Sequence, residues 1–226
     1  MRLGVLFSGG KDSTLALMKA MEDNEIVCLI SLISKNKESY MFHTPAIELT
    51  KMQSEAMGIP LLRKETEGKK EEELKDLKDA IGEAINKFQI EGIVTGAVES
   101  VYQSSRIQKI CDDLSISCTN PLWKMDQEKL LMEVIKSGID VIISGIFAYP
   151  LTKKWLGRKI DEDTVEDLVS LREKYKISPA GEGGEIETTV LDAPFFKKRM
   201  KITDSEKTYE ENAGSLIIKK AVLEKK

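Results

Sequence analysis

Apolar residues in the first half of the chain fall into short β-rich runs separated by stretches with helical spacing. The runs Leu3–Phe7, Ile26–Ile33, Leu61–Arg63 and Gly92–Gly96, with a weaker one near Ile116, predict strands. Between them, Leu74, Leu77, Ile81, Ile85 and Phe88 recur at three- and four-residue steps, which predicts a helix over Lys70–Phe88 with a charged, solvated opposite face. Gly58-Ile59-Pro60 predicts the stop of the preceding helix, because proline disfavours helical geometry at the residue before it. Strands alternating with helices are the pattern of a parallel sheet covered by helices on both faces.

The order changes in the second half. A helix over Asp126–Lys136, an apolar strand over Ile139–Phe147 and a helix over Asp163–Tyr175 precede three strand-like runs parted by polar turns: Ile186–Leu191, Arg199–Ile202 and Ser215–Val222. Such late runs predict antiparallel strands. The fold class expected is α/β, a Rossmann-like parallel sheet plus a smaller C-terminal α+β lobe, divided as residues 1–122 and 123–226.

Composition narrows the class without naming a function. With 41% hydrophobic and 32% charged residues, the 226-residue chain is placed with ordinary soluble proteins, and no apolar run reaches the ~20 residues of a membrane-spanning helix. Met1-Arg2 leads straight into a strand-like run, so a cleaved secretory leader is not expected and a cytoplasmic location is. Cys28, Cys111 and Cys118 form no C-x-x-C pair and His43 is the single histidine, so any metal is expected to be oxygen-bound. The net charge of -4 disfavours a general nucleic-acid surface.

The chemistry is concentrated in Ser8-Gly9-Gly10-Lys11-Asp12-Ser13, between the first strand and a helix opening near Lys11. Two glycines allow the backbone close to an anion, N–H groups of the first helical turn point at it, and Ser8 and Ser13 add hydroxyls. Lys11 offsets phosphate charge, whereas Asp12 repels bare phosphate and so is expected to ligate Mg²⁺ bridging phosphate oxygens. A Walker loop would need glycine where Val5 stands, and the dinucleotide fingerprint would need glycine where Lys11 stands. A bare Gly-Gly pair serves equally well as a tight strand-to-helix turn.

The full six-residue string resembles the signature of the ATP pyrophosphatases, or PP-loop enzymes, and implies their Rossmann-like fold and cleavage of ATP between the α and β phosphates. Four further segments resemble one branch of that superfamily, the diphthine–ammonia ligases: Glu38–Thr44, Thr95-Gly96-Ala97 with Tyr102, Gln103 and Arg106, Trp155–Arg158, and Gly181–Thr188. The resemblance runs along essentially the whole chain. It implies ATP-dependent amidation of diphthine on translation elongation factor 2 through an acyl-adenylate. The implied cofactors are ATP as co-substrate and Mg²⁺ on Asp12. The implied partners are the elongation factor and ammonium, with a homodimer left open. Since no glutaminase domain can be fitted, free ammonium is the expected nitrogen donor.

Within that scheme Ser8 to Ser13, His43 and Gly96 are expected on the nucleotide side, and Lys11, Asp12, Arg106 and Glu185 in catalysis. Tyr102, Gln103, Trp155, Glu182, Gly183, Gly184, Glu185 and Glu187 are expected on the substrate side. Period-two alternation would put Glu185 and Glu187 on one strand face, with Glu182 folding back toward them. Such carboxylates can hold the trimethylammonium group, bind ammonium, take a proton or ligate a second metal, and equally can be a solvated hairpin edge. Trp155 can cup a quaternary ammonium by cation–π attraction, or pack in the core. The competing readings are another PP-loop enzyme, such as a tRNA-modifying enzyme or an NAD synthetase-like amidase, and a module that senses ATP or AMP without turnover.

Overall fold

A computed structural model describes residues 1–34, 49–68 and 70–226. Strand β1 (Arg2–Leu6) alternates as the sequence requires. Leu3, Val5 and then Phe7 enter one core, and Gly4 lies against Ile90, Ile93 and Cys28 on the other side. Helix α1 (Lys11–Ala20) leads to β2 (Glu25–Ser34), and α2 (Thr50–Met57) to β3 (Leu61–Thr66). After α3 (Lys70–Phe88) the chain returns to β4 (Gly92–Val94) on the opposite side of β1, then passes through α4 (Val101–Asp113) to β5 (Ser117–Thr119).

All pairings are parallel and the strand order is β3-β2-β1-β4-β5. The order reverses between β1 and β4, so the loops leaving their carboxyl ends diverge and open a crevice there. Helices cover both faces. Leu77, Ala80, Ile81 and Ala84 of α3 and Ile107 and Ile110 of α4 bury one face with Ile30, Leu32 and Ile93. On the other face, Leu15 and Leu17 of α1 and Met57 of α2 pack with Leu3, Val5, Phe7 and Leu29.

That second core continues without a break into the rest of the chain. It takes in Leu130, Leu131 and Val134 of α5 (Gln127–Lys136), Ile143 and Ile146 of β6 (Asp140–Ile146), Leu168 of α6 (Glu162–Tyr175) and Val190 of β7 (Ile186–Asp192). The last strands are β8 (Lys198–Glu210) and β9 (Ala213–Lys225). They complete an antiparallel sheet of order β7-β6-β9-β8. Among the described residues no helix is long and apolar enough to cross a membrane.

Three local expectations change. Helix α2 ends at Gly58, whose left-handed backbone (φ 72°) lets Gly58 and Ile59 N–H groups close on the Ser54 carbonyl. Pro60 lies beyond the stop and does not cause it. Strands β8 and β9 are each 13 residues long, far beyond Arg199–Ile202 and Ser215–Val222. Glu211 and Asn212, both with positive φ, join them in a tight hairpin. Finally, β7 starts at Ile186, so Glu185 belongs to the preceding turn and shares no strand face with Glu187.

The two sheets meet at the loop between β1 and α1. Strand β7 is an edge strand, and its Val190 N–H donates to the Gly9 carbonyl at 3.0 Å. Gln53 of α2, 0% exposed, donates from Nε2 to both the Gly9 carbonyl (2.9 Å) and the Val190 carbonyl (2.8 Å). Replacing Gln53 by Met keeps the volume and removes both donors, leaving the Val190 carbonyl buried without this partner. Gln53→Met is expected to lower stability by about 1 to 3 kcal/mol, the cost of one unsatisfied buried polar group. Urea unfolding monitored by tryptophan fluorescence measures it, and an unchanged midpoint would show that the clasp contributes nothing.

Candidate active site

The Ser8–Ser13 loop leaves β1 at its carboxyl end and enters α1 with Gly10 in an extended conformation (φ -87°, ψ 175°) and no side-chain cap. The cap residue therefore offers the first-turn donors of α1 no side chain of its own. Gly9 has φ 81°, and a Cβ there would collide with Gln53 Oε1. The Lys11 N–H donates to Thr188 Oγ1 of β7 (3.1 Å). Ser8 and Ser13 hydroxyls lie 3.2 Å apart, and Ser13 Oγ also accepts from the Ser8 N–H at 3.3 Å. The loop is thus shaped before any ligand arrives.

Asp12 and Lys11 divide their work. Lys11 is 3% exposed, and its ammonium donates to Asp12 Oδ2 (2.8 Å) and to the Ala180 carbonyl (2.5 Å). It is held away from the crevice. Asp12 Oδ1 is buried and has no hydrogen-bond partner among the described residues. Opposite, Gly96 packs directly on the first turn of α1, where a Cβ would come within 2.8 Å of the Ser13 nitrogen. Its neighbour Thr95 is tied to Asn120 Oδ1 (2.5 Å) and accepts from the Ala97 N–H (3.1 Å), fixing the loop after β4.

These groups enclose a cleft of about 250 Å³. One end is polar, with Ser8, Asp12, Ser13, Thr95, Gln103 and Glu182; the other is an apolar slot between Leu6, Ile30, Leu32 and Ile107. Glu182 enters from the Gly-rich turn before β7, and its Oε2 accepts from the Glu99 N–H at 3.4 Å. Burial, reinforced by the nearby Asp12 charge and opposed by Lys11, pushes its carboxyl up to about 7. Asp12 and Glu182 form an acidic end rather than a metal cage: among the described residues no group of three His, Cys, Asp or Glu side chains can hold a metal ion.

The remaining expected site residues divide. Gln103 reaches the cleft from the first turn of α4, which Ser100 caps by accepting from the Gln103 N–H (3.3 Å). Tyr102 and Arg106 lie beside it on α4, with the guanidinium stacked 3.5 Å from the Tyr102 ring centre. Neither lines the cleft. The Glu185 carboxylate is taken up by its own turn, accepting from the N–H groups of Ser178 (2.9 Å) and Gly183 (3.0 Å). Gly183 and Gly184 shape that turn, Gly184 with φ 85°. Glu187 faces Gly145 across β6 and β7, where burial pushes its carboxyl up to about 8.

Trp155 sits in a single 3-10 turn, Lys153–Trp155, with Arg158 4.7 Å over its ring and Arg158 paired to Asp167 (2.7 Å). The fold does not bring it to the cleft, so the quaternary-ammonium role expected of it has no geometric support. His43 lies outside the described residues. The sequence reading missed Gln53 and Gln127. Gln127 Oε1 accepts from Ser178 Oγ (2.6 Å) and the Ala180 N–H (3.2 Å), bracing the turn that carries Glu182. An uncharged amide on the apolar side of α2 was the signal available for Gln53.

Comparison with known proteins adds the family. The family model for the diphthamide synthase N-terminal domain matches residues 1–118, and that for the diphthamide synthase C-terminal domain residues 126–223. A relative from Rattus norvegicus named diphthine–ammonia ligase is 35% identical over 226 residues, covering 91% of this chain and 84% of its own. One of the same name from Schizosaccharomyces pombe is 34% identical over 93% of this chain, which spans only 37% of that longer protein. A solved structure titled as a predicted subunit of tRNA methyltransferase from Methanocaldococcus jannaschii aligns at a TM-score of 0.45 with 19% identity, covering 86% of this chain and 98% of that one.

The two raised carboxyls have a stability consequence. Both groups start from 4.5 and rise to about 7 and about 8 on folding. The folded chain therefore binds more protons than the unfolded one across that window, and these groups make stability fall as pH rises from about 4.5 to about 8, then level off. Glu187→Gln is expected to remove the part of the decline nearest pH 8. Thermal melts of both proteins across the window check this, and identical pH profiles would exclude the assignment.

Proposed function

The chain belongs to the diphthamide synthase family, and from that premise we propose that it amidates diphthine on translation elongation factor 2 with ammonium, at the expense of ATP. The supporting observation is one cleft whose lining joins a polar group at the start of α1, Ser8, Asp12 and Ser13, to an apolar group, Leu6, Ile30, Leu32 and Ile107. The first suits the phosphates of ATP and the second its adenine.

In this reading the Gly9-Gly10 backbone and the hydroxyls of Ser8 and Ser13 hold the β and γ phosphates, and α1 contributes the positive end of its dipole. Asp12 fits a magnesium ion through its unpartnered Oδ1. Among the described residues no group of three acidic side chains stands there, so Asp12 would be the residue that holds such an ion. Such an ion would supply charge neutralisation for the departing pyrophosphate. Lys11 acts one step back: its buried ammonium fixes Asp12 and ties the loop to Ala180.

The reaction follows from the leaving groups. Ammonia cannot displace an oxide from a carboxylate, so the diphthine carboxylate oxygen first attacks the α-phosphorus and the bond to pyrophosphate breaks. Ammonia then attacks the acyl carbon, and the bond to AMP breaks. The residues of the chain orient both partners and exclude water, and orientation alone accounts for a large share of such rates.

The products discriminate this reading. Incubation with ATP, ammonium and diphthine-bearing elongation factor is expected to yield AMP and pyrophosphate in equal amounts, with none released when the factor is omitted. Asp12→Asn is expected to lower turnover by about a hundredfold or more, comparable with the loss of one transition-state electrostatic contact. Formation of ADP and phosphate instead of AMP would refute the scheme.

A further inference from the structure

Glu182 is a carboxylate in a place where the Proposed function puts phosphates. Asp12 already raises the cost of its negative charge, and the hydroxyl-bearing Ser8 and Ser13 line the same cleft. An acid in such a cleft is retained at a cost unless a cation sits between it and the phosphates. Lys11 is committed to Asp12 Oδ2 and Ala180, and the magnesium ion of the Proposed function to Asp12 Oδ1, which leaves Glu182 for a cation of its own.

The fold invests in presenting this side chain. The Glu182 N–H donates to Ser178 Oγ (2.9 Å), Ser178 Oγ to Gln127 Oε1 (2.6 Å), and Gln127 Nε2 to Glu99 Oε2 (3.1 Å). The Glu99 N–H returns to Glu182 Oε2 and closes the circuit. Glu185 fixes the turn from its other side through the N–H groups of Ser178 and Gly183. A solvated hairpin edge needs none of these bonds.

We propose that Glu182 is the ammonium-holding residue of the cleft, binding the nitrogen donor by charge and hydrogen bonding through its own carboxylate. The surrounding groups choose the cation. Thr95, Gln103, Ser8 and Asp12 offer oxygen acceptors around a small space, which suits four N–H donors. A quaternary ammonium has no N–H and is recognised by aromatic faces, and among the described residues the only aromatic side chain in the lining is Phe7, buried in the core beneath. The described acceptors therefore match the N–H donors of ammonium, whereas the trimethylammonium of diphthine offers them none.

The proposal rests on the amidation reading, and steady-state kinetics with diphthine-bearing elongation factor separates the two. Glu182→Gln is expected to raise KM for ammonium about ten- to a hundredfold, as loss of a charge-assisted hydrogen bond implies. The KM for ATP and for the elongation factor should move far less, and Glu182→Asp should fall between. Hydroxylamine, uncharged at neutral pH, should be used by parent and variant at comparable rates, which also shows that the variant folds and activates the acceptor. An unchanged KM for ammonium in Glu182→Gln overturns the proposal, and so does a rise confined to the elongation factor. No AMP from the parent protein with any nucleophile defeats the amidation reading itself.

Discussion

The phosphate-type loop depends on a strand edge from the other end of the chain. An exposed edge strand leaves N–H and C=O groups unpaired, a cost that folded proteins manage by covering or pairing them. Here the edge of β7 is closed by the Ser-Gly-Gly turn: Val190 N–H meets the Gly9 carbonyl, Thr188 Oγ1 meets the Lys11 N–H, and Gln53 bonds Gly9 and Val190 at once. The loop in turn obtains a shape it could not hold alone. Gly9 is fixed at a positive φ with Gln53 against it, so its conformation is set by packing rather than by a bound anion. One core runs through both sheets because this junction leaves no plane along which they could part.

What the sequence disclosed follows the same physics. Elements with one buried face were legible: α3 was readable to both ends because Leu77, Ile81 and their neighbours mark its inner stripe, and β1, β2, β6 and β7 because each is apolar enough to be nothing else. The β8–β9 ribbon was legible only in part, at the start of β8 and along the middle of β9. Between Thr203 and Thr208 both faces meet solvent, so Asp204, Glu206 and Lys207 carry no alternation for a reader to find. The end of α2 was attributed to Pro60 because proline is the louder signal, while the left-handed Gly58 did the work.

The site was legible as chemistry and not as geometry. Ser8, Asp12, Ser13, Gly96 and Gln103 converge because they follow strand ends at the switch point, a rule that needs only topology, and Glu182 joins them from the turn before β7. Trp155 and Glu185 were chosen by residue type, and type says nothing about direction. Trp155 turned to Arg158, and Glu185 to two N–H groups of its own turn. Gln53, Thr188 and Gln127 bond chiefly to backbone groups far away in sequence. Such partners leave no local pattern.

The acidic Gly-rich segment shows why three glutamates within six residues do three different things. Glu185 lies where the turn exposes its own amides and becomes a structural acceptor, so its charge is compensated at home. Glu187 is one step into the strand, on the side away from the loop that Thr188 contacts; burial alone raises it, and the nearby acids do not enter. Glu182 is on the far side of Gly183, free of both constraints except for the Glu99 N–H, and so is the one left to face Asp12. A shift of a single residue in the start of β7 would exchange Glu187 with Thr188, putting a carboxylate against the Lys11 N–H and a hydroxyl on the opposite face. The register of one strand thus decides which side chain meets the start of α1 and which is kept from it.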